Sequence, residues 1–132
     1  MKYLLDTNIC IYVIKKRPAS VLRRFKSCNV GDIAISAITY SEMLYGVEKS
    51  QHADRNRVML EMFVSPLEIL SYDEVASEKY GVIRSALEKE GRVIGSLDML
   101  IAAHALGAGL TLVTNNKKEF GRIPGLKIEN WV

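Results

Sequence analysis

The sequence predicts an α/β fold in which helices cover both faces of a central, mostly parallel sheet of four to five strands. Short apolar segments alternate along the chain with longer amphipathic ones, an order typical of strand–helix–strand units. The short segments are almost wholly apolar, as expected of parallel strands that are buried on both sides. The chain has 132 residues, the length of one domain, so we expect residues 1–132 to form a single three-layer α/β/α unit.

The first half of the chain is predicted to hold two strands and three helices. In chain order these are a strand at residues 3–5, a helix at 8–15, a short helix that begins near Pro18, a strand at 33–35 and a helix from Ser36 or Ala37 to about Lys49. Thr7 or Asn8 can cap the first helix with a side-chain oxygen. Pro18 suits the start of the second helix, where its missing N–H leaves no hydrogen bond unmade.

The second half is predicted to add three longer helices and three strands. They are a helix at residues 55–64, a strand at 67–70, a helix at 73–90, a helix at 96–108, a strand at 110–114 and a short strand at 127–129. Gly91 stops the long helix, and Gly107 or Gly109 stops the next one. In the helix at 55–64, the apolar side chains expected to face mostly inward are Val58, Leu60, Met62 and Phe63.

Composition excludes several classes of protein. Apolar residues make up 48% of the chain, which argues against bulk disorder. No apolar run approaches the roughly 18 residues needed to cross a bilayer. Asp6 interrupts the N-terminal segment where a signal peptide needs apolar residues, so we expect a cytoplasmic protein without membrane contact.

The two cysteines, Cys10 and Cys28, form no metal-ligand pattern, and the chain has only two histidines. A zinc site of the usual Cys/His type is therefore not indicated. We expect both cysteines to be reduced thiols in or near the core.

The net charge of +3 is modest, but basic residues are concentrated near the N-terminus. Residues 7–31 contain no acid, and their six cations are Lys15, Lys16, Arg17, Arg23, Arg24 and Lys26. A local charge of +6 would attract a polyanion or an acidic partner. A solvated helix face explains the same pattern, so the stretch alone does not establish a function.

Acidic and polar residues follow the predicted strands at their carboxyl ends, where open α/β sheets bind ligands. The first strand ends in Asp6-Thr7-Asn8, and the fourth ends in Thr114-Asn115-Asn116. Glu42 lies two turns into the helix after the second strand, and Asp98 lies in the first turn of the helix before the fourth. Four segments that are distant in sequence can therefore bring oxygen ligands to one edge of the sheet.

Carboxylates that are brought together repel one another, and their pKa values rise unless a cation compensates. Mg²⁺ and Mn²⁺ prefer oxygen ligands and retain several waters. Such an ion lowers the pKa of a bound water and stabilises the leaving oxygen of a phosphodiester. Asp6, Glu42 and Asp98 are therefore the candidate metal ligands and catalytic residues for in-line hydrolysis of a phosphodiester.

Each acid also has a purely structural interpretation. Asp6 could only cap the first helix, Asp98 could only interact with a helix dipole, and Glu42 could be a helix-edge acid. His104 is expected to be a core or rim histidine and not a ligand. No Gly-x-Gly-x-x-Gly, Walker or Gly-x-Ser-x-Gly motif occurs, so neither a nucleotide cofactor nor a serine nucleophile is indicated.

Taken together, these residues give the chain a resemblance to the PIN-domain ribonucleases and, among them, to the VapC toxins of type II toxin–antitoxin systems. The resemblance runs through the whole chain in five segments. They are Leu4–Asn8, Ser41–Gly46, Gly95–His104, Leu112–Phe120 and Leu126–Trp131. It implies a PIN-like fold and a metal-dependent endoribonuclease that inhibits translation by cutting RNA. Some close relatives in the family cut the anticodon stem-loop of initiator tRNA.

The resemblance also implies partners and residue roles. It implies a homodimer and a hetero-oligomer with an antitoxin, which typically lays a C-terminal peptide across the active site and an apolar helix surface. Asp6, Glu42 and Asp98 match the family's acidic positions. The polar residues expected to support them are Thr7, Asn8, Thr114 and Asn116.

Two positions depart from the family pattern. Many members carry aspartate in place of Asn116, and many carry proline or another residue in place of Ser96. The amide of Asn116 can offer a carbonyl oxygen but no charge. If Lys117 opens a short helix, Glu119 lies about one turn from Asn116 and could reach the metal edge as a further catalytic residue. The alternative is that Glu119 is only a first-turn acid of that helix.

Two other functions compete with the nuclease. A receiver-type signalling domain is also doubly wound and binds Mg²⁺ at strand ends, but it needs an aspartate at the end of its middle strand. The third predicted strand ends in Leu70-Ser71-Tyr72, and Asp73 comes later at a helix start. A catalytically inactive PIN domain that only binds RNA or protein is the second alternative, and metal-dependent RNA cleavage would distinguish it.

Overall fold

The computed structural model describes residues 1–132 and contains a single five-stranded sheet. The strands are β1 (Tyr3–Leu5), β2 (Ile33–Ser36), β3 (Glu68–Leu70), β4 (Thr111–Val113) and β5 (Ile128–Glu129). Their order across the sheet is β3-β2-β1-β4-β5, and every neighbouring pair is parallel. The predicted parallel sheet is confirmed, and all the strand ends that carry acids face the same edge.

Seven helices connect and cover the strands. They are α1 (Thr7–Lys15), α2 (Ala19–Ser27), α3 (Ala37–Glu48), α4 (Ala53–Val64), α5 (Glu74–Lys89), α6 (Ser96–Ala108) and α7 (Lys117–Phe120). The predicted boundaries agree with these to within two residues. None of the helices is both long enough and apolar enough to span a membrane.

The helices lie on both faces of the sheet, because successive strand residues point to opposite sides. Leu4 of β1 packs in one core cluster with Leu87 of α5 and residues of α6. Its neighbour Leu5 packs in a second cluster with Ile9 of α1 and Met43 of α3. The predicted three-layer α/β/α arrangement is therefore confirmed.

Two glycines in the last turns of α6 have different roles. Gly109 adopts a left-handed conformation with φ of 70° and ends the helix. Gly107 lies within α6 and faces the backbone of α5, where a Cβ atom would be 3.1 Å from the Cα of Ala76. A side chain at Gly107 would therefore push these two helices apart.

Part of the predicted inward face of α4 is wrong. Leu60 is buried and Phe63 is half-buried, as expected, but Val58 is 55% and Met62 is 71% exposed. Val58 and Met62 lie one turn apart on the side of the helix opposite Leu60. The helix packs on α3 through the Leu60 side, so the second apolar stripe remains in solvent.

The third strand is also not where the sequence argument placed it. β3 lies at the edge of the sheet and exposes Glu68 and Ile69, so it is neither central nor wholly buried. The middle strand is β1, which runs directly into Asp6. The central strand, at which a receiver domain carries its aspartate, is therefore β1 and not β3. Cys10 is buried and Cys28 half-buried, and both are free thiols, as predicted.

Candidate active site

Asp6 directly follows the central strand and is buried, with 5% of its surface exposed. Its Oδ1 atom accepts a 2.9 Å hydrogen bond from the backbone N–H of Ile9, so Asp6, and not Thr7 or Asn8, is the N-cap of α1. Burial raises the pKa of Asp6 and outweighs the hydrogen bonds from Thr114 and the Ile9 backbone, while the charge of Glu42 raises it further. The start of α1 and Thr114 at the end of β4 therefore both hold this carboxylate.

Glu42 reaches the same edge from the middle of α3. The hydroxyl of Thr7 donates a 2.8 Å hydrogen bond to its Oε1 atom and lies 3.3 Å from the hydroxyl of Thr39. Ser36 ends β2 and caps α3 by accepting a hydrogen bond from the Ile38 N–H at 3.0 Å. The first turn of α1 therefore fixes the side chain of Glu42, although the two residues are 35 positions apart.

Asp98 lies in the first turn of α6 and accepts no side-chain or backbone hydrogen bond. Burial raises its pKa to about 6, with further contributions from the negative charges of Glu119, Asp6 and Glu42. Gly95 lies directly before α6, and a Cβ atom there would make only an ordinary van der Waals contact, at 3.6 Å, with the Oδ2 atom of Asp98. The carboxylate of Asp98 therefore lies near three other carboxylates and has no cationic partner.

Glu119 joins this group from α7, whose first residue is Lys117 as the sequence argument required. Asn116 donates a 3.0 Å hydrogen bond from Nδ2 to Glu119 Oε2, and its own backbone N–H donates to the Thr114 hydroxyl at 2.9 Å. This chain of contacts leaves the carbonyl oxygen of the Asn116 side chain free. Among the acids, Glu119 raises the pKa of Asp98 more than Asp6 or Glu42 does, so its charge acts most strongly on Asp98.

The four acids share an unbalanced negative charge. None of the four ion pairs of the protein involves Asp6, Glu42, Asp98 or Glu119. No three of them approach closely enough to form a ready-made metal cage. The arrangement is an open, oxygen-rich cleft in which a cation would relieve repulsion.

Most of the predicted site residues therefore meet at one edge of the sheet. Thr7, Thr114 and Asn116 contact the acids directly, whereas Asn8 is exposed and makes no side-chain hydrogen bond. Sequence reasoning missed Thr39, which is fully buried beside Thr7. Its position in the helix that carries Glu42 was the available signal.

His104 is a core histidine, as predicted, with 2% of its surface exposed. Its Nδ1 atom lies 2.8 Å from the hydroxyl of Ser36, and its ring stands edge-on to Tyr72. Sequence reasoning did not anticipate the contact with Ser36, because the two residues are 68 positions apart.

The basic stretch divides into two groups. Arg24 forms an ion pair with Glu129 and lies over the rings of Tyr3 and Trp131, at 5.9 and 5.5 Å from their centroids. The remaining five cations are exposed and unpaired; they are Lys15, Lys16, Arg17, Arg23 and Lys26. Only this second group is available to an anionic partner.

An apolar groove of about 340 Å³ begins at the acidic cleft and runs along α1, α3 and α4. Thr7 and Glu42 line its acidic end, and Lys15 and Asn56 contribute polar groups further along. Its other lining residues are Ile11, Ile14, Met43, Gly46, Val47, Met59 and Leu60. A mostly apolar peptide with a basic end would fit this groove better than a nucleic acid backbone would.

Comparisons with known proteins agree with this geometry. A family model described as the PIN domain matches residues 3–126. The tRNA(fMet)-specific endonuclease VapC of Shigella flexneri is 48% identical over 131 residues, which cover 99% of this chain and 98% of that protein. Ribonuclease VapC2 of Haemophilus influenzae is 48% identical over 132 residues, which cover 100% and 99% of the two chains.

A solved structure gives the same result. A chain in the crystal structure of DNA-bound VapBC from Salmonella typhimurium superposes with a TM-score of 0.94 at 45% identity, covering 100% of this chain and 99% of that one. These matches support the nuclease interpretation and not the receiver domain. The chain belongs to the PIN-domain family and, within it, to the VapC ribonucleases.

Proposed function

We propose that this chain is the toxin of a toxin–antitoxin pair, an endoribonuclease that cuts tRNA with Mg²⁺ or Mn²⁺ bound by Asp6, Glu42 and Asp98. The observation that carries the catalytic part is the meeting of four uncompensated carboxylates at the carboxyl edge of the sheet. A structural acid is normally paired or hydrogen-bonded. Asp98 is neither, and its raised pKa fits a ligand that awaits a cation.

The donor set fits a hard divalent cation. All the candidate ligands offer oxygen, and no cysteine or histidine stands among them. An open cleft with few protein ligands suits an ion that keeps several waters, as Mg²⁺ does. When bound, such an ion supplies an activated water and stabilises negative charge on the leaving oxygen.

The residues of the chain have separate tasks in this proposal. The Ile9 N–H holds Asp6, and the Thr7 hydroxyl holds Glu42, so these carboxylates keep their orientation before RNA arrives. Asn116 holds Glu119 beside Asp98. In this proposal Glu119 reaches the metal edge, directly or through a water, and adds negative charge beside Asp98. The exposed cations near the N-terminus add attraction for the phosphate backbone.

The substrate follows from the relatives. The relative from Shigella flexneri is named for cleavage of tRNA(fMet), and the identity of 48% extends over the full length of both chains. We therefore assign initiator tRNA as the substrate of this chain. Loss of initiator tRNA would stop translation at its first step.

The partner follows from the groove and from the VapBC structure. The apolar groove opens at Glu42, so a peptide seated along α3 would end in the acidic cleft. We assign this groove to the C-terminal peptide of the cognate antitoxin, which would block RNA and metal together. A homodimer of the toxin completes the proposed assembly.

The activity test uses purified protein with initiator tRNA and an elongator tRNA as the matched control. We expect cleavage of initiator tRNA at one position, mapped by primer extension, in Mg²⁺ or Mn²⁺ and none in EDTA. Cleavage that persists in EDTA would overturn the metal assignment. Equal cleavage of both tRNAs would overturn the substrate assignment, and no cleavage of either would overturn the enzyme.

Gly46 offers a separate test of the antitoxin groove. It lines the groove, and a Cβ atom there would meet nothing within 4 Å, so Gly46→Leu would fill the groove without disturbing the core. Gly81 on the outer side of α5 has the same free space and is the matched control. We expect Gly46→Leu to weaken antitoxin binding about 100-fold and Gly81→Leu to leave it unchanged. Equal affinity for both variants would move the antitoxin to another surface.

A further inference from the structure

His104 is the only side chain of α6 that forms a hydrogen bond to another element. Its Nδ1 atom lies 2.8 Å from the Ser36 hydroxyl, and both residues are buried. The rest of the helix is tethered by apolar contacts of Met99, Ile101 and several alanines. Apolar packing alone tolerates small rotations and slides of a helix. The contact between His104 and Ser36 therefore adds to this packing a directional link between α6 and the end of β2.

The Ser36 hydroxyl can donate this hydrogen bond to a neutral ring. The Ser36 oxygen already accepts from the Ile38 N–H, so its own proton is free to be donated to Nδ1. The other ring nitrogen then carries the proton. Burial lowers the pKa of His104, which keeps the ring neutral and this arrangement intact. The ring therefore joins the end of β2 to α6.

The two helices joined by this contact carry two of the proposed metal ligands. Ser36 caps α3 six residues before Glu42, and His104 follows Asp98 on α6 by six residues. Six residues of helix span about 9 Å, so each carboxylate lies less than two turns from the joint. A change in the contact between His104 and Ser36 therefore moves the carboxylates of Glu42 and Asp98 relative to each other.

We infer that His104 is a positioning residue of the nuclease, which sets the separation of Glu42 and Asp98 through its hydrogen bond to the Ser36 cap of α3. The inference rests on the proposed function. A buried polar pair is often no more stable than an apolar pair of similar volume, so stability alone does not explain a histidine in this helix. Misplacement of a reacting group by about 1 Å can lower a rate about 100-fold, so geometry does explain it.

The test compares three changes at the joint with a control elsewhere. His104→Leu fills the ring's space without a hydrogen bond, and His104→Asn keeps a side-chain oxygen near the position of Nδ1. Ser36→Ala removes the other partner. Val21→Ala, in the second core cluster, is the control for loss of stability.

Two readouts are measured for each variant: kcat and KM for tRNA cleavage, and the Kd for Mn²⁺ from the free-ion EPR signal. We expect His104→Leu to lower kcat about 10-fold or more with KM unchanged, and to weaken Mn²⁺ binding about 10-fold. His104→Asn should recover most of both losses. Ser36→Ala also removes the cap of α3, so it should lose at least as much as His104→Leu, and the double variant should lose no more than Ser36→Ala alone.

The outcomes separate this inference from the proposed function. If the unmodified protein neither cleaves tRNA nor binds Mn²⁺, the proposed function fails. If it does both, but His104→Leu loses no more than Val21→Ala, His104 is only a core residue and the inference is overturned. Failure of His104→Asn to recover activity above His104→Leu, or additive losses in the double variant, would also overturn it. Should His104→Leu not fold, Ser36→Ala takes its place in the comparison with Val21→Ala.

Discussion

Two clusters of charged residues lie at the same edge of the sheet, and they differ in how their charge is balanced. In the acidic cleft, Asp6 and Asp98 have raised pKa values and no cation beside them. At the C-terminal corner, burial alone would raise the pKa of Glu129, but hydrogen bonds from Trp131 and Arg24 and the Arg24 charge outweigh it. The pKa of Glu129 is therefore lowered, which means that its ionised carboxylate is better stabilised than those of Asp6 and Asp98.

The difference distinguishes a charged residue that stabilises the fold, Glu129, from one that we assign to function, Asp98. Glu129 accepts from Trp131 Nε1 at 2.9 Å and pairs with Arg24, which fastens the end of the chain to β1 and α2. The carboxylate of Asp98 has no such partner, so its ionised form destabilises the metal-free fold. The acid of the C-terminal corner is balanced within the chain, whereas the acids of the cleft have no cation partner in the chain, which supports the proposed metal site.

The largest expected effect is the loss of cleavage when the acidic cleft is neutralised. Asp6→Asn and Asp98→Asn should each lower kcat about 100-fold or more, because each removes the charge of a proposed metal ligand. Glu129→Gln, which neutralises the balanced cluster, is the matched control and should retain activity. A fully active Asp98→Asn would show that its carboxylate serves only the helix dipole.

Asp98→Asn should also raise the free energy of unfolding in metal-free buffer. The pKa of Asp98 is raised to about 6, so its ionised form costs stability above that pH, and the cost disappears as the pH falls and the group is protonated. Allowing for screening by solvent, Asp98→Asn should add roughly 1–2 kcal/mol to the free energy of unfolding at pH 7.5 and little at pH 4. Urea denaturation at both pH values measures this. A destabilised Asp98→Asn, or a gain that is equal at both pH values, would contradict the account.

The balanced cluster should respond with the opposite sign. Glu129→Gln removes an ion pair that is partly exposed, so we expect a loss of about 0.5–1 kcal/mol at neutral pH. Because the pKa of Glu129 is lowered, this contribution is present at neutral pH and is lost as the pH falls through the folded-state pKa. The same urea titrations measure it. A Glu129→Gln protein more stable than the unmodified one would remove the distinction between the clusters.

The smallest expected effect concerns Asn116 and Glu119. Glu119→Gln should raise the Mg²⁺ concentration for half-maximal cleavage about threefold, because it removes a charge beside Asp98. Asn116→Ala removes only the hydrogen bond that holds Glu119, so its shift should be smaller. The reverse order, with Glu119→Gln unchanged and Asn116→Ala shifted, would assign the role to the Asn116 carbonyl.

Much of this fold could be predicted because its signals are local. The helix at residues 96–108 was predicted at its observed boundaries, since Gly109 marks its end and its apolar residues are continuous. The acids at the ends of β1 and before β4 were predicted to meet because parallel strands present their carboxyl ends at one edge.

The errors arose where the answer depends on partners that are distant in sequence. The apolar spacing of α4 cannot say which of its two apolar sides the chain itself covers, so Val58 and Met62 were misplaced. The order of strands is not encoded locally, so the prediction that β3 is the middle strand is wrong. The separation of Arg24 from the free cations depends on Glu129, which lies 105 positions away. The contact of His104 with Ser36 is of the same kind.

The most direct test of the contrast is the pKa of the Asp98 carboxyl, followed by ¹³C NMR in the absence and presence of Mg²⁺. The account predicts a pKa of about 6 in metal-free protein. It predicts a fall to the ordinary range of about 4 or lower when Mg²⁺ is added, because a bound cation stabilises the ionised form. A pKa near 4 in metal-free protein, or a raised value that does not respond to Mg²⁺, would contradict the claim that the acidic cleft is built for a metal.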